Sequence, residues 1–319
     1  MLIIRFGYVA HALNLWNASP QKTMTFSRWK QLGEEERKAK LHEITRKNLH
    51  HTLRALHYNI AHEIKLYRLS SSIVPLATHE EVDWDYITPF RELYEAIGEL
   101  VKKHEIRTSF HPNQFTLFTS DKPHVTRNAV RDMEYHYSVA EAMGLEQELS
   151  INIHVGGAYG NKKEAVGRFH DNLIQLPDHI KKQMTLENDD KTYTAGETLD
   201  ICEQESIPLM FDYHHYIANH DEGESLEAIL PRFMKTWDHT RHRPKIHVSS
   251  PKSEQAFRSH ADYVSLDFLQ PLIKDLKRIG RSVDVMVEAK AKDRALLQLV
   301  EEMAAKRGVK RIGGATLEL

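Results

Sequence analysis

The run from SINIHV (Ser150–Val155) through QMTLEN (Gln183–Asn188) and IPLMFD (Ile207–Asp212) to PKIHVS (Pro244–Ser249) decides the architecture. Each segment is a strand-sized apolar run bounded by polar turns, and a longer stretch separates it from the next. Each also carries a His, Glu or Asp at or near its C-terminal end: His154, Glu187, Asp212 and His247. The same unit recurs outward from this core. LIIRFGY (Leu2–Tyr8), IKLYRLS (Ile64–Ser70) and IRTSFH (Ile106–His111) lie upstream, and VDVMVEA (Val283–Ala289) lies downstream, which makes eight strands. Apolar residues at i, i+3 and i+4 predict helices over Arg37–His62, Asp85–His104, Thr126–Met143, Thr194–Glu205, Leu226–His239, Phe268–Ile279 and Arg294–Arg307. Thr126 and Thr194 stand at N-cap positions, and Gly144 and Gly308 at C-cap positions. Strand alternating with helix predicts parallel strands joined by right-handed crossovers. Eight such units predict an α/β protein of the (β/α)8 TIM-barrel type, one domain over residues 1–319. An open doubly wound sheet is the alternative, but GYVAHAL after the first strand is not a Gly-rich phosphate turn.

Composition narrows the chemistry. Lys plus Arg is 43 and Asp plus Glu is 45, for a net charge of −2, so nucleic-acid binding would need a local basic patch or bound metals. The one Cys, Cys202, excludes a disulfide framework and a Cys-based zinc site, and its helical context makes it a core residue. No apolar run is long enough for a membrane span, and MLIIRFGYVAHAL lacks a signal-peptide pattern, so a cytoplasmic enzyme is expected. The anomaly is 21 histidines.

Barrel active sites are built at the C-terminal ends of strands. There the sequence places His111, His154, Glu187, Asp212, His215, His247 and Glu288, with His79 and His260 in the loops after the second and seventh strands. A lone strand histidine is usually a core residue. Six consecutive strands each delivering a metal-ligand type is a different matter, and it predicts a site for two or three divalent ions, manganese or zinc rather than copper. Secondary signals surround this set. HVGGAYG (His154–Gly160) reads equally as close backbone approach to a phosphate or as a tight turn. Asn188 and Asp189 read as residues that orient ligands, or as turn formers. Ser19–Arg37, rich in Lys, Arg and aromatics, reads as a phosphate-contacting arm or a solvated loop. His50 and His51 read as surface residues, whereas Asp212 and His215 turn toward one pocket.

Longer blocks carry a family resemblance. GYV near the start, SSSIVPLATH (Ser70–His79), TSFHPNQF (Thr108–Phe115), NIHVGGAYG (Asn152–Gly160), LENDDKTY (Leu186–Tyr193), FDYHH (Phe211–His215), PKIHVSSPKSEQAFRSHADYV (Pro244–Val264) and VMVEAKAKD (Val285–Asp293) resemble the UV damage endonuclease family, in order and over nearly the whole chain. The resemblance implies a barrel akin to endonuclease IV and a DNA repair activity that incises the backbone immediately 5′ to cyclobutane dimers and 6-4 products. It implies three metal ions, typically Mn2+, with Zn2+, Co2+ or Mg2+ as alternatives. The ligand positions it implies are His79, His111, His154, Glu187, Asp212, His215, His247, His260 and Glu288. Glu187 and His79 are also implied as catalytic, together with Lys245, a lysine that can be carbamylated. Lesion-probing positions fall on Tyr8, Gln114 and Phe115, the last replacing a family Tyr, and a family Asn in the first loop falls near Ala12. The implied partner is damaged double-stranded DNA, with no membrane and no obligate protein partner, and the chain is expected to be a monomer. Two rivals stand beside this reading. A metal-dependent sugar isomerase would need a small enclosed pocket, and a damage-binding module would lack catalysis.

Overall fold

The computed structural model describes residues 1–319. In chain order the elements are β1 (Ile3–Val9), α1 (Phe26–Lys30), α2 (Glu34–Ala61), β2 (Leu66–Arg68), α3 (Arg91–Lys103), β3 (Arg107–Phe110) and α4 (Pro123–Ala142). There follow β4 (Ser150–His154), α5 (Lys162–Leu173), α6 (Asp178–Lys181), β5 (Met184–Glu187), α7 (Ala195–Glu205), β6 (Leu209–Asp212), α8 (Tyr213–Ala218) and α9 (Leu226–Thr236). The chain ends with β7 (Lys245–Val248), α10 (Leu266–Ile279), β8 (Val283–Val287), α11 (Lys292–Ala304), β9 (Lys310–Gly313) and β10 (Thr316–Glu318). Strands β1 to β8 pair in parallel in sequence order, and β1 pairs with both β8 and β2, so the sheet closes into the expected barrel.

The C-terminal hairpin β9–β10 is not legible in the sequence. It adds antiparallel to Ile3–Arg5, the N-terminal half of β1, while Gly7–Val9 pair with β2. One strand edge is thereby divided between the barrel and its appendage. Helices α1, α5, α6 and α8 also go beyond the sequence reading, three of them too short for a 3.6-residue periodicity to register. Thr194 caps α7 as expected, in a capping box with Glu197. Thr126 is not a cap: α4 begins at Pro123, whose missing N–H suits a first turn, and Thr126 is buried one turn later. Gly144 takes the left-handed conformation just past α4, whereas Gly308 lies in the turn beyond the end of α11. His51, expected on the surface, is buried with its Nδ1 2.7 Å from the Ser19 carbonyl.

Strand alternation sorts the side chains of the barrel. Ile151 and Ile153 join an apolar cluster of 72 residues, while between them Asn152 bonds to Glu187 and Thr185 on the neighbouring strand. At the N-terminal end of the barrel a charged triad fills the interior. Asp284, with no exposed surface, accepts from Arg5 at 2.7 and 2.7 Å and from Arg107 at 2.8 Å. Removing the shared carboxylate would leave two guanidinium groups without a counterion. Asp284→Ala is therefore expected to lower unfolding free energy by about 3–5 kcal/mol in a urea titration. A loss under about 1 kcal/mol would show that the triad does not hold this end of the barrel.

Candidate metal centre

At the opposite, C-terminal end the polar groups are not satisfied by one another. Glu187, at the end of β5 and 1% exposed, is the hub. Its Oε2 lies 3.2 Å from His111 Nε2 and 3.2 Å from His247 Nδ1, and its Oε1 lies 3.6 Å from His215 Nδ1. His247 Nδ1 is also 3.0 Å from Glu288 Oε1. Three compact sets of ligand-type residues result: His111, His154 and Glu187; Glu187, His247 and Glu288; and Glu187, Asp212 and His215. Glu187 belongs to all three. These residues come from β4, β5, β6 and β7, from α8, and from the positions just after β3 and β8. Only barrel closure brings them together.

The electrostatics follow from burial. Burial alone would raise the Glu187 carboxyl, but His247, His154 and His111 outweigh it and hold the group well below the usual carboxylate range. Burial drives His111 down to about 4. It would also depress His215, yet Asp212 and Glu187 prevail and push that imidazole up to about 9. Asp212 is raised by its own burial and by the charges of Glu187 and Glu288. Protons on histidine, together with Arg68 beside Glu288, are what offset the negative charge of this cluster.

Several buried donor atoms have no partner: His111 Nδ1, His154 Nδ1, Glu187 Oε1, Asp212 Oδ2 and His247 Nε2. Buried polar atoms are normally paired, so a convergent set of unpaired nitrogen and carboxylate donors fits divalent cations. Two imidazoles are oriented from behind as metal ligands usually are. His215 Nδ1 lies 2.9 Å from the Asn188 carbonyl and His260 Nδ1 2.7 Å from that of Glu288, which leaves each Nε2 free.

Other expected residues separate on inspection. His79 lines the same cavity of about 720 Å3 as His111 and His154 but stands outside the three sets, its ring stacked 3.8 Å from that of Phe26. His260 also stands outside them, with its ring 6.3 Å from that of His215. Lys245 is fully buried inside the barrel and donates to Ser109 Oγ at 2.8 Å. Burial, aided by Arg107 and Arg68, drives its amine well below the usual lysine value. Gln114 lines the cavity, and Phe115, the next residue, is 71% exposed.

Tyr8 corrects the sequence reading. It lies within β1 rather than beyond it, has no exposed surface, and donates its hydroxyl to Asn59 at 2.8 Å beside the ring of Tyr67. In this position it is a core residue and offers no face to a base. Gly156 resolves the ambiguity of the glycine motif. Its φ of 124° and the 2.4 Å that would separate an added Cβ from Thr119 Oγ1 make it a turn requirement. Asp189 is a turn former, accepting from the N–H groups of Lys191 and Tyr193 at 2.8 and 3.1 Å. Asn188 by contrast is a positioning group, bonded to both the N–H and the carbonyl of Asp212.

Sequence reasoning missed Asn152, which donates to Glu187 Oε2 and is itself held by Thr185 Oγ1 at 2.9 Å. It missed Arg68, paired with Glu288. It missed His136 too, which lines the cavity with a buried, unpartnered Nε2. Asn152 lies two residues before His154 on the same strand face, and that alternation was the available signal.

Known proteins match this arrangement over its full length. Residues 4–319 match the family model described as UV-endonuclease UvdE. The chain belongs to the UvdE family. The UV DNA damage endonuclease of Bacillus mycoides (strain KBAB4) is 61% identical over 317 residues, covering 99% of this chain and 100% of that protein. Among solved structures, SacUVDE superimposes with a TM-score of 0.83 at 29% identity, over 95% of this chain and 100% of that one. Endonuclease IV from Thermus thermophilus shares the fold, with a TM-score of 0.51 at 13% identity over 88% of this chain and 91% of that one.

A cation bound at His215 would have to displace the proton that this imidazole holds. Affinity of the metal-free protein for Mn2+ should therefore rise with pH up to about 9, with proton release on binding near neutrality. His111, held at about 4, adds no such competition. Calorimetry in buffers of different ionisation enthalpy measures the release, and none at pH 7 would show that His215 is not a ligand.

Proposed function

We propose that this chain is a metal-dependent DNA repair endonuclease that incises the backbone immediately 5′ to UV photoproducts, cyclobutane dimers and 6-4 products. The observation that carries this reading is the set of unpartnered donors around Glu187 on a UvdE-family barrel, two of its residues, His111 and His154, lining a cavity of about 720 Å3. The name of the 61% identical relative supports the substrate class. A sugar isomerase would need a small enclosed pocket, and a cavity of about 720 Å3 lined by 22 residues argues for a larger substrate.

Divalent cations would be held by His111 and His154, by His247 and Glu288, and by Asp212 and His215, with Glu187 available to each set. His79 and His260 would complete their shells from the periphery. Bound divalent ions, Mn2+ being the reading taken here, supply a low-pKa water and neutralise charge on a phosphodiester. The chain's own groups do the rest. Asn152 and Thr185 keep the Glu187 carboxylate from rotating. Arg68 holds Glu288 in its charged form. Lys245, whose amine burial drives well below its usual value, is thereby favoured toward the neutral form that carbamylation by carbon dioxide requires. Gln114, which lines the cavity, and the exposed Phe115 would fill the gap that extruded bases leave, and a damaged pair costs less to extrude than an intact one.

Glu187→Ala should abolish Mn2+-dependent nicking of irradiated duplex and retain the circular dichroism of the barrel. Nicking at the wild-type rate by that variant would overturn the assignment. Phe115→Ala should retain metal content and melting temperature, because the ring is 71% exposed. Its preference for irradiated over intact duplex should fall about tenfold, the scale of one stacked base. An unchanged preference would remove Phe115 from lesion reading.

A further inference from the structure

Between β1 and α2 the chain runs alongside α2 and is clipped to it about once per helical turn. Arg54 donates to the carbonyls of Trp16 and Asn17 at 2.9 and 3.2 Å. His51 Nδ1 meets the Ser19 carbonyl at 2.7 Å. Asn48 brackets Lys22, accepting from its N–H at 2.9 Å and donating to its carbonyl at 2.8 Å. Residues 54, 51 and 48 share one face of α2, and the chain advances past them by about three residues per clip. At the start of the strip Asp293 accepts from the Leu13 N–H at 2.6 Å, and Arg294 donates to the Leu13 carbonyl at 3.0 Å. A segment with no regular secondary structure is thus held as rigidly as one that has it.

The outward face of this strip is not explained by folding. Trp16 is 90% exposed, and it is the only tryptophan among the exposed large hydrophobic residues. Lys22 is bracketed by Asn48, and Lys47 precedes Asn48 on α2, so the two lysines are neighbours, and Lys47 holds Lys22 below its usual value. The nearest acid, Glu43, is already paired with Lys40 at 2.7 Å. Gln21 and Thr23, on either side of Lys22, line the cavity that contains His111 and His154. A pinned tryptophan and two neighbouring cations therefore share a strip that borders, through Gln21 and Thr23, the cavity of His111 and His154, in a chain whose net charge is −2. Juxtaposed cations repel unless an anion lies between them, and phosphate is the anion a nucleic acid presents.

We propose that Trp16 and the Lys22–Lys47 pair form a second contact surface for DNA, outside the metal cavity, which grips the backbone flanking the incised site. Lys22 and Lys47 take a phosphate, and the Trp16 ring packs on an adjacent nucleotide. This rests on the nuclease reading above and assigns a function to the basic, aromatic segment after the first strand.

The test uses the full-length, Mn2+-loaded protein with undamaged duplex in a tryptophan-fluorescence titration, followed by steady-state nicking of irradiated duplex. DNA should quench the wild-type emission, and Trp16→Phe should remove most of that change. Nicking by Trp16→Ala should show about a tenfold higher KM, with the loss falling on KM rather than on kcat. The double variant Lys22→Ala, Lys47→Ala should flatten the slope of log affinity against log salt by about one to two. Lys182→Ala, an exposed cation at the N-terminal end of β5, should not alter that slope. If the wild type nicks irradiated DNA while Trp16 emission and the salt slope stay unchanged, the second surface is refuted and the nuclease reading stands. If the wild type neither binds nor nicks irradiated DNA, both fall together.

Discussion

One buried carboxylate organises this protein. Glu187 sits where a charge is most costly, almost without solvent, at the end of a central barrel strand. It stays ionised because His247, His154 and His111 face it, and because Asn152 donates to it from β4. Asn152 in turn depends on Thr185, one strand over. The parallel register that sets His154 opposite Glu187 is therefore also what lets the charge stay buried. A slip of one residue along that pair would send Asn152 and His154 into the apolar layer and Ile153 toward the charge.

The two ends of the barrel solve the problem of buried charge in opposite ways. At the N-terminal end, Asp284 is saturated by Arg5 and Arg107 and has no capacity left for a ligand. At the C-terminal end, donors on His111, His154, Asp212 and His247 remain unpaired. Lys245 lies between the two regimes, bonded to Ser109 and driven by burial well below its usual value. Stability and function are thus separated along the barrel axis, which is the usual division of labour in this fold.

The surface around the site continues this logic. Phe115 and Trp16 are large rings held in solvent, one after β3 and one after β1. Hydrogen bonds from α2 and α11 brace the Trp16 segment. An exposed ring carried on a braced loop gains nothing for folding, and its apolar area becomes useful only against a partner. No helix is long and apolar enough to cross a membrane.

The sequence by itself determined the barrel, because strand and helix periodicities are local and alternate eight times along the chain. It also determined which residue types stand at the strand ends, since those ends are marked by the same local patterns. It did not reveal β9 and β10, whose pairing with β1 joins opposite ends of the chain. Nor could it show that Tyr8 faces Tyr67 and Asn59 rather than a substrate, because strand alternation sorts two faces without saying which is wet. Arg68 and Asn152 read as ordinary strand residues until closure of the sheet set them against Glu288 and Glu187. What only the tertiary structure decided is which of the marked residues touch, since distances between strand ends depend on barrel closure and not on spacing along the chain.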